Sequence, residues 1–273
     1  MRQFISDSEL DSSGCLTVSG KKYRHMVQVL RADIGDMIFV RLPGGEIQQM
    51  TVAKINQAEK TLLLQCAGDS CIRHSTTEAP PAASKPEIEL WLFQFVAKPP
   101  KMDLILRQAT ECGAAVIVPV AGEYCQSGSV ESAAKKSDGN DNRWQRIITE
   151  AREQSGSPTE TKILQCVTLD RAIEIWNRES ENFNTKAVVL YEQTDGTVTI
   201  HKALADNKEI QKVAVFVGAE GGISPNEISA LQNSGIIPVH LMTNILRCET
   251  AAIYGLATVQ NTLMEKELWL FRE

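Results

Sequence analysis

The sequence predicts an α/β protein in which a mainly parallel sheet flanked by helices follows a small β-barrel. Three observations carry this expectation. Beyond residue 86, short apolar runs at 88–95, 116–120, 187–190, 213–217 and 239–241 alternate with helical stretches, the pattern of parallel βα units. Before residue 74, runs at 37–40, 47–52 and 61–66, rich in β-branched and apolar residues, follow one another with turn signals such as Leu42-Pro43-Gly44-Gly45 between them. Residues 75–85 separate the two patterns, and their Pro, Ala and Ser content offers nothing to a core. The expected organisation is a barrel domain at 1–74, a linker at 75–85 and a larger domain at 86–273. At 273 residues and 43% apolar, the chain is long enough to bury such cores.

In the first domain, the segment from Tyr23 to Arg31 reads as a helix with Met26, Val27 and Leu30 on its apolar face and Arg24, His25, Gln28 and Arg31 nearer solvent. In the second, Met102, Ile105, Leu106 and Ala109 form one core-facing stripe, and Trp144, Ile147, Ile148 and Ala151 form another. Arg107 with Glu111, and Arg146 with Glu150, are spaced as i,i+4 pairs on the outer faces. Residues 126–142, rich in Ser, Gly, Lys and Asp, are expected to be a mobile loop. Ser224-Pro225-Asn226-Glu227 marks a helix start, with Ser as N-cap, Pro at the first helical position and Glu completing a capping box. Ile228 and Leu231 supply its stripe, and Gly235 and Pro238 end it.

This helix separates the two segments that carry chemistry. Val217-Gly218-Ala219-Glu220-Gly221-Gly222 leaves the run at 213–217, and the segment from Asn244 to Ala251 leaves the run at 236–241. Both are loops at the ends of short buried strands, where open α/β sheets bind ligands. Three glycines around a carboxylate let the backbone approach a ligand closely, and the second loop adds the Arg247 guanidinium and the Glu249 carboxylate. An isolated Gly-Gly more often only turns a strand into a helix. Two such loops side by side favour a site.

Composition narrows the function classes. Seven cysteines without a C-x-x-C, and Cys66 and Cys71 without a second pair at zinc spacing, fit a reducing cytoplasm. His25, His74, His201 and His240 show no ligand spacing, so no catalytic metal is expected. The absence of G-x-G-x-x-G after an early strand argues against a dinucleotide enzyme. No apolar run reaches a membrane span, and residues 1–10 lack the pattern of a secretory signal. The net charge of −6 is unevenly spread: residues 1–74 carry nine Lys and Arg against eight Asp and Glu, a balance consistent with local nucleic-acid contact there, although charge differences of this size usually mark solvated surface.

The run from Gly218 to Ser224 with Glu227, followed by Ile245-Leu246-Arg247-Cys248-Glu249-Thr250-Ala251, resembles the RsmE family of 16S ribosomal RNA uridine-N3 methyltransferases, which are SPOUT methyltransferases. Further matches keep the family's order: the segment from Arg24 to Arg31 with Gly35-Asp36, Lys101 through Gln108-Ala109-Thr110-Glu111-Cys112-Gly113, and Arg143-Trp144 through Gln154-Ser155-Gly156. The chain departs from the family at Ala219, where proline is usual, and at Met242-Thr243-Asn244, where Gly-Pro-Arg is usual. Ser157 replaces a common arginine, and Ala97-Lys98-Pro99-Pro100 a glycine-containing basic loop.

The resemblance implies a C-terminal SPOUT domain with a deep trefoil knot, an N-terminal PUA-like RNA-binding barrel and a homodimer. It implies S-adenosylmethionine bound bent in the knot by Leu190, Val217, Gly218, Glu220, Gly221, Gly222, Leu241, Met242, Asn244, Ile245 and Leu246. RNA contacts would fall to Arg2, Arg24, His25, Arg31, Lys98, Lys101 and Arg152, with 16S rRNA or the small ribosomal subunit as partner. A uridine N3 must lose its proton before or during attack on the methyl group, while negative charge spreads onto the ring carbonyls. Arg247 is the first candidate to stabilise that charge. Glu249, ahead of Glu220, is the candidate to accept the proton or orient another group, the alternative being a structural role on loop N–H groups. Alignment of donor carbon and acceptor nitrogen supplies much of the rest, and it requires an unstacked base. A second reading, motivated by Ala219 and Met242-Thr243-Asn244, is an RNA-binding relative that has lost efficient cofactor binding; another RNA target is a third.

Overall fold

The computed structural model describes residues 3–66, 88–139, 143–205 and 210–269, so Arg2 and the linker expected at 75–85 lie outside the described residues. The chain forms two compact units, Met1–Ser84 with Arg152–Pro158, and Lys85–Ala151 with Thr159–Glu273.

In the first unit, β1 (Phe4–Ile5), β2 (Cys15–Ser19), β3 (Met37–Arg41), β4 (Ile47–Asn56) and β5 (Thr61–Cys66) form one sheet in the order β1-β3-β4-β5-β2. Only β1 and β3 pair in parallel. Strand alternation sends Leu62 and Leu64 inward from β5 to meet Phe4, Leu16, Val18, Val40, Met50 and Val52 in a single core. Helix α1 (Gly20–Arg24) runs directly into a π-helical turn at His25–Val29. Met26 is fully buried, but Leu30, expected on the same face, is exposed. The physical reason is the wider turn: the Leu30 N–H reaches back five residues to the His25 carbonyl (3.0 Å), which rotates Leu30 off the 3.6-residue period.

The second unit is a doubly covered parallel sheet. Its strands are β6 (Glu89–Phe95), β7 (Val116–Ala121), β8 (Lys162–Ile163), β9 (Val167–Thr168), β10 (Thr185–Leu190), β11 (Lys212–Val217) and β12 (Ile237–Val239). They run β12-β10-β11-β6-β7-β8, with β9 also on β7, and every pairing is parallel. The helices are α2 (Pro99–Glu111), α3 (Ser127–Ser137), α4 (Arg143–Ser155), α5 (Leu169–Asn182), α6 (Ile200–Ala203), α7 (Pro225–Asn233) and α8 (Cys248–Trp269).

Because both faces are covered, the central strands are apolar throughout, yet they sort by alternation. Leu90, Leu92, Val213, Val215, Val188 and Leu190 face one core with residues of α2, α4, α6 and α8. Trp91, Phe93, Phe95, Ala214, Phe216 and Val189 face the other with α5 and α7. There Phe93 and Phe216 stack with centroids 4.3 Å apart.

The loop expected at 126–142 is instead largely helix α3. Ala133 is buried and Val130 packs on the core one turn away, while the polar residues that suggested disorder occupy the outer face. Residues 140–142 lie outside the described residues. No helix among the described residues is long and apolar enough to cross a membrane.

Candidate active site

Parallel strands β6, β10 and β11 end on one edge of the sheet, and the loops that leave β10, β11 and β12 enclose a cleft of about 330 Å³ there. Residues 190–192, 217–223, 240–241 and 243–248 line it, together with Lys101 and Ala251. Thus Leu190, Val217, Gly218, Glu220, Gly221, Gly222, Leu241, Asn244, Ile245 and Leu246 are brought together with Arg247. Met242 belongs to the same loop but is 76% exposed and absent from the lining.

The glycine loop is shaped by what cannot fit in it. A Cβ at Gly218 would stand 2.9 Å from the Gly222 carbonyl carbon, and Gly222 itself adopts φ +78°. Ala219 is buried in the aromatic-face core, where its small side chain suffices to anchor the turn. Beneath the loop lies Gln94 of β6, a fully buried side chain whose Nε2 donates to the carbonyls of Val217 (3.3 Å) and Gly218 (3.1 Å). Its one visible mark in the sequence is a polar residue inside an otherwise apolar strand. Tyr191, Glu192 and His240 also line the cleft and were not expected there.

The second loop is held by the Met242 N–H donating to His240 Nδ1 (2.9 Å). Met242 carries φ +52°, the left-handed conformation that favours the glycine usual in the family. Met242→Gly is therefore expected to be tolerated or mildly stabilising, whereas β-branched Met242→Val should cost about 1–2 kcal/mol. Thermal melting of the two variants separates these outcomes.

Lys101, reaching from α2, organises the charged wall. Its Nζ lies 3.0 Å from Glu249 and 3.6 Å from Glu220. Glu220 also accepts the Lys98 backbone N–H (3.1 Å) at the N-terminus of α2, where a carboxylate is favoured by the helix dipole. Burial alone would raise the Glu249 carboxyl, but its own backbone N–H, Lys101 and the Cys248 thiol together hold it below the ordinary 4.5. Lys101 is raised, chiefly by its hydrogen bond to Glu249. Burial, followed by the bond to Glu249, pushes the Cys248 thiol up to about 12, so it stays protonated and is no nucleophile.

A carboxyl lowered in the fold stabilises it above the ordinary pKa and loses that contribution as pH falls through the lowered value; a raised lysine loses its contribution only on the alkaline side. The stability gap between wild type and Lys101→Met is therefore expected to be widest near neutral pH and to close as pH drops below 4.5. Melting curves across that range check it, and parallel pH profiles would show that the pair contributes nothing.

Arg247 is the exception to this paired wall. Its backbone carbonyl accepts from the Ala251 N–H (2.7 Å) at the start of α8, but among the described residues its guanidinium has no ion-pair or hydrogen-bond partner. The remaining candidates are not residues of the cleft lining. Lys98 is exposed beyond β6; Arg24 and Arg31 are exposed and His25 half-buried in the first unit. Arg152, in the Arg152–Pro158 segment, directs its guanidinium to the carbonyls of Ser157 (3.4 Å) and Pro158 (3.3 Å).

Comparison with known proteins gives the same direction throughout. Residues 84–260 match the RNA methyltransferase domain family. The ribosomal RNA small subunit methyltransferase E of Bacillus subtilis is 22% identical over 263 residues, covering 93% of each chain. Its counterpart from Aquifex aeolicus is 33% identical over 177 residues, covering 64% of this chain and 70% of that protein. The crystal structure of a ribosomal RNA small subunit methyltransferase E from Neisseria gonorrhoeae bound to S-adenosyl methionine shares the fold, with a TM-score of 0.74 over 96% of this chain and 97% of that one at 22% identity. With a matched domain spanning well over half its length, the chain belongs to the ribosomal RNA small subunit methyltransferase E family of RNA methyltransferases.

Proposed function

We propose that this protein transfers a methyl group from S-adenosylmethionine to N3 of a uridine in 16S rRNA of the small ribosomal subunit. The observation that carries the reading is one cleft in which a glycine loop offers backbone groups and the wall carries a guanidinium that has no ion-pair or hydrogen-bond partner among the described residues. The cleft's volume falls within the roughly 300–1,000 Å³ typical of small-molecule sites, and the side-chain-free edges of Gly218, Gly221 and Gly222 suit a ligand held by main-chain atoms. Residues 217–222 and 241–246, with Leu190, would hold the cofactor, which supplies an electrophilic methyl group when bound.

Arg247 stabilises the negative charge that spreads onto the uracil carbonyls as the N3 proton leaves. Glu249, a lowered carboxyl facing Lys101, is a weak proton acceptor and a strong orienting group for that lysine. In this reading residues 1–74 form a PUA-like RNA-binding domain whose Arg24, His25 and Arg31, with Arg2, position phosphates. Residues 75–85 link it to a methyltransferase domain at 86–273 whose cofactor loops belong to a trefoil knot. Exposed Met242, Ile245 and Tyr254 supply the apolar face of a homodimer. The protein works in the cytoplasm, where its thiols stay reduced.

Calorimetric titration with S-adenosylmethionine, with NADH as control, tests the reading. Saturable binding of the first alone supports it. Absence of binding, both alone and with small ribosomal subunits present, favours an RNA-binding relative without a working cofactor site.

A further inference from the structure

We infer that Tyr124 is the platform on which the target base stacks after it leaves its RNA stack, an inference that rests on the methyltransferase reading above. A base that reacts at a ring nitrogen must be extruded, and stacking on a protein π-face compensates part of the interaction it loses. Aromatic rings for that purpose are few. Trp91, Trp144, Trp176, Phe93, Phe95 and Phe216 are all buried in the cores. Among residues whose side chains are described, the exposed aromatics are Tyr124 (50%), Tyr254 (44%) and Phe183 (40%). Phe183 precedes β10, at the sheet edge opposite the cleft, with the Lys212 ammonium 3.8 Å from its ring centroid. Tyr254 lies on α8 outside the cleft lining.

Tyr124 differs from both in its position. It follows β7 on the cleft-side edge of the sheet, and a Cβ built on Gly221 would fall 2.9 Å from the Tyr124 Cβ. Gly221 lines the cleft, so the root of the ring is at the lip of the cofactor loop. The turn that carries it is stiff: Cys125 N–H donates to the Gly122 carbonyl (3.1 Å), Gly122 N–H to Cys125 Sγ (3.3 Å) and Glu123 N–H to buried Glu227 (2.8 Å). A half-exposed ring on a rigid turn is already placed for a planar ligand and loses little freedom on binding. The Tyr191 hydroxyl, raised first by burial and then by Glu192 and Tyr124, puts a second phenol in the same neighbourhood. Tyr124 thus serves as a positioning surface for the base, beside the cleft in which Arg247 faces the developing charge.

The test compares full-length wild type, Tyr124→Phe and Tyr124→Ala by binding of 16S rRNA, by KM and kcat for methyl transfer to unmodified small ribosomal subunits, and by S-adenosylmethionine titration. Tyr124→Ala is expected to raise the RNA Kd and KM roughly ten- to a hundred-fold with cofactor affinity unchanged, and Tyr124→Phe to match wild type. Wild-type RNA binding and KM in Tyr124→Ala would overturn the inference. So would a matching loss of cofactor affinity, which would mean that the ring only braces Gly221, or a Phe variant as impaired as Ala, which would point to the hydroxyl. If wild type methylates no RNA while Tyr124→Ala still weakens RNA binding with Phe rescue, the methyltransferase reading falls and the stacking site stands.

Discussion

Arg247→Ala is expected to lower kcat for methyl transfer by about 10²–10³-fold while leaving S-adenosylmethionine affinity close to wild type. The guanidinium is exposed at the cleft wall and has no hydrogen-bond or ion-pair partner among the described residues, so its removal breaks no such bond there. It joins the start of α8 only through its backbone, which alanine keeps. The charge it would meet exists only as the N3 proton departs, so the loss should appear equally in kcat and kcat/KM. Arg247→Lys should recover part of the rate, because a compact ammonium keeps the charge but loses the planar fork. An unchanged kcat in Arg247→Ala would remove the residue from the mechanism.

Gly122→Ala should destabilise the fold by about 2–3 kcal/mol. A Cβ there would lie 2.4 Å from Phe95 Cδ1 and 2.6 Å from Glu227 Oε1. Neither neighbour can retreat. Phe95 is buried in the aromatic core, and both Glu227 oxygens are engaged, one by the Glu123 N–H and the other by the Ser224 N–H, each at 2.8 Å. Moving Glu227 also opens the capping box of α7, which continues from the glycine loop. Gly128→Ala is the control: its Cβ meets nothing within 4 Å and sits inside α3, so alanine should add about 0.5–1 kcal/mol. Denaturant midpoints of the two variants should move in opposite directions, and a wild-type midpoint for Gly122→Ala would contradict the packing described.

What could be read from the sequence was what neighbouring residues determine among themselves. Helix α7 was legible because Ser224 and Glu227 cap each other within one turn, and both bonds are present, at 3.2 and 2.8 Å. The glycine and arginine loops were legible because each is contiguous and leaves a buried strand. Gln94 was not, because it reaches the glycine loop through the pairing of β6 with β11, which sets it opposite Val217 across 123 residues of chain. Lys101 was expected at RNA, but the fold commits its ammonium to Glu220 and Glu249, a contact that only the docking of α2 beside α8 creates. Helix α3 was hidden by its polar face, with Val130 and Ala133 the only trace of its inner one. Leu30 misled because a π turn has a period that a 3.6-residue stripe does not contain.

The most direct measurement is methyl transfer from labelled S-adenosylmethionine to unmodified small ribosomal subunits, followed by digestion of the RNA and identification of the labelled nucleoside. Label in N3-methyluridine at a single site, lost with Arg247→Ala, is the predicted result. Label in a different nucleoside, or none transferred to subunits or to free 16S rRNA, would contradict it.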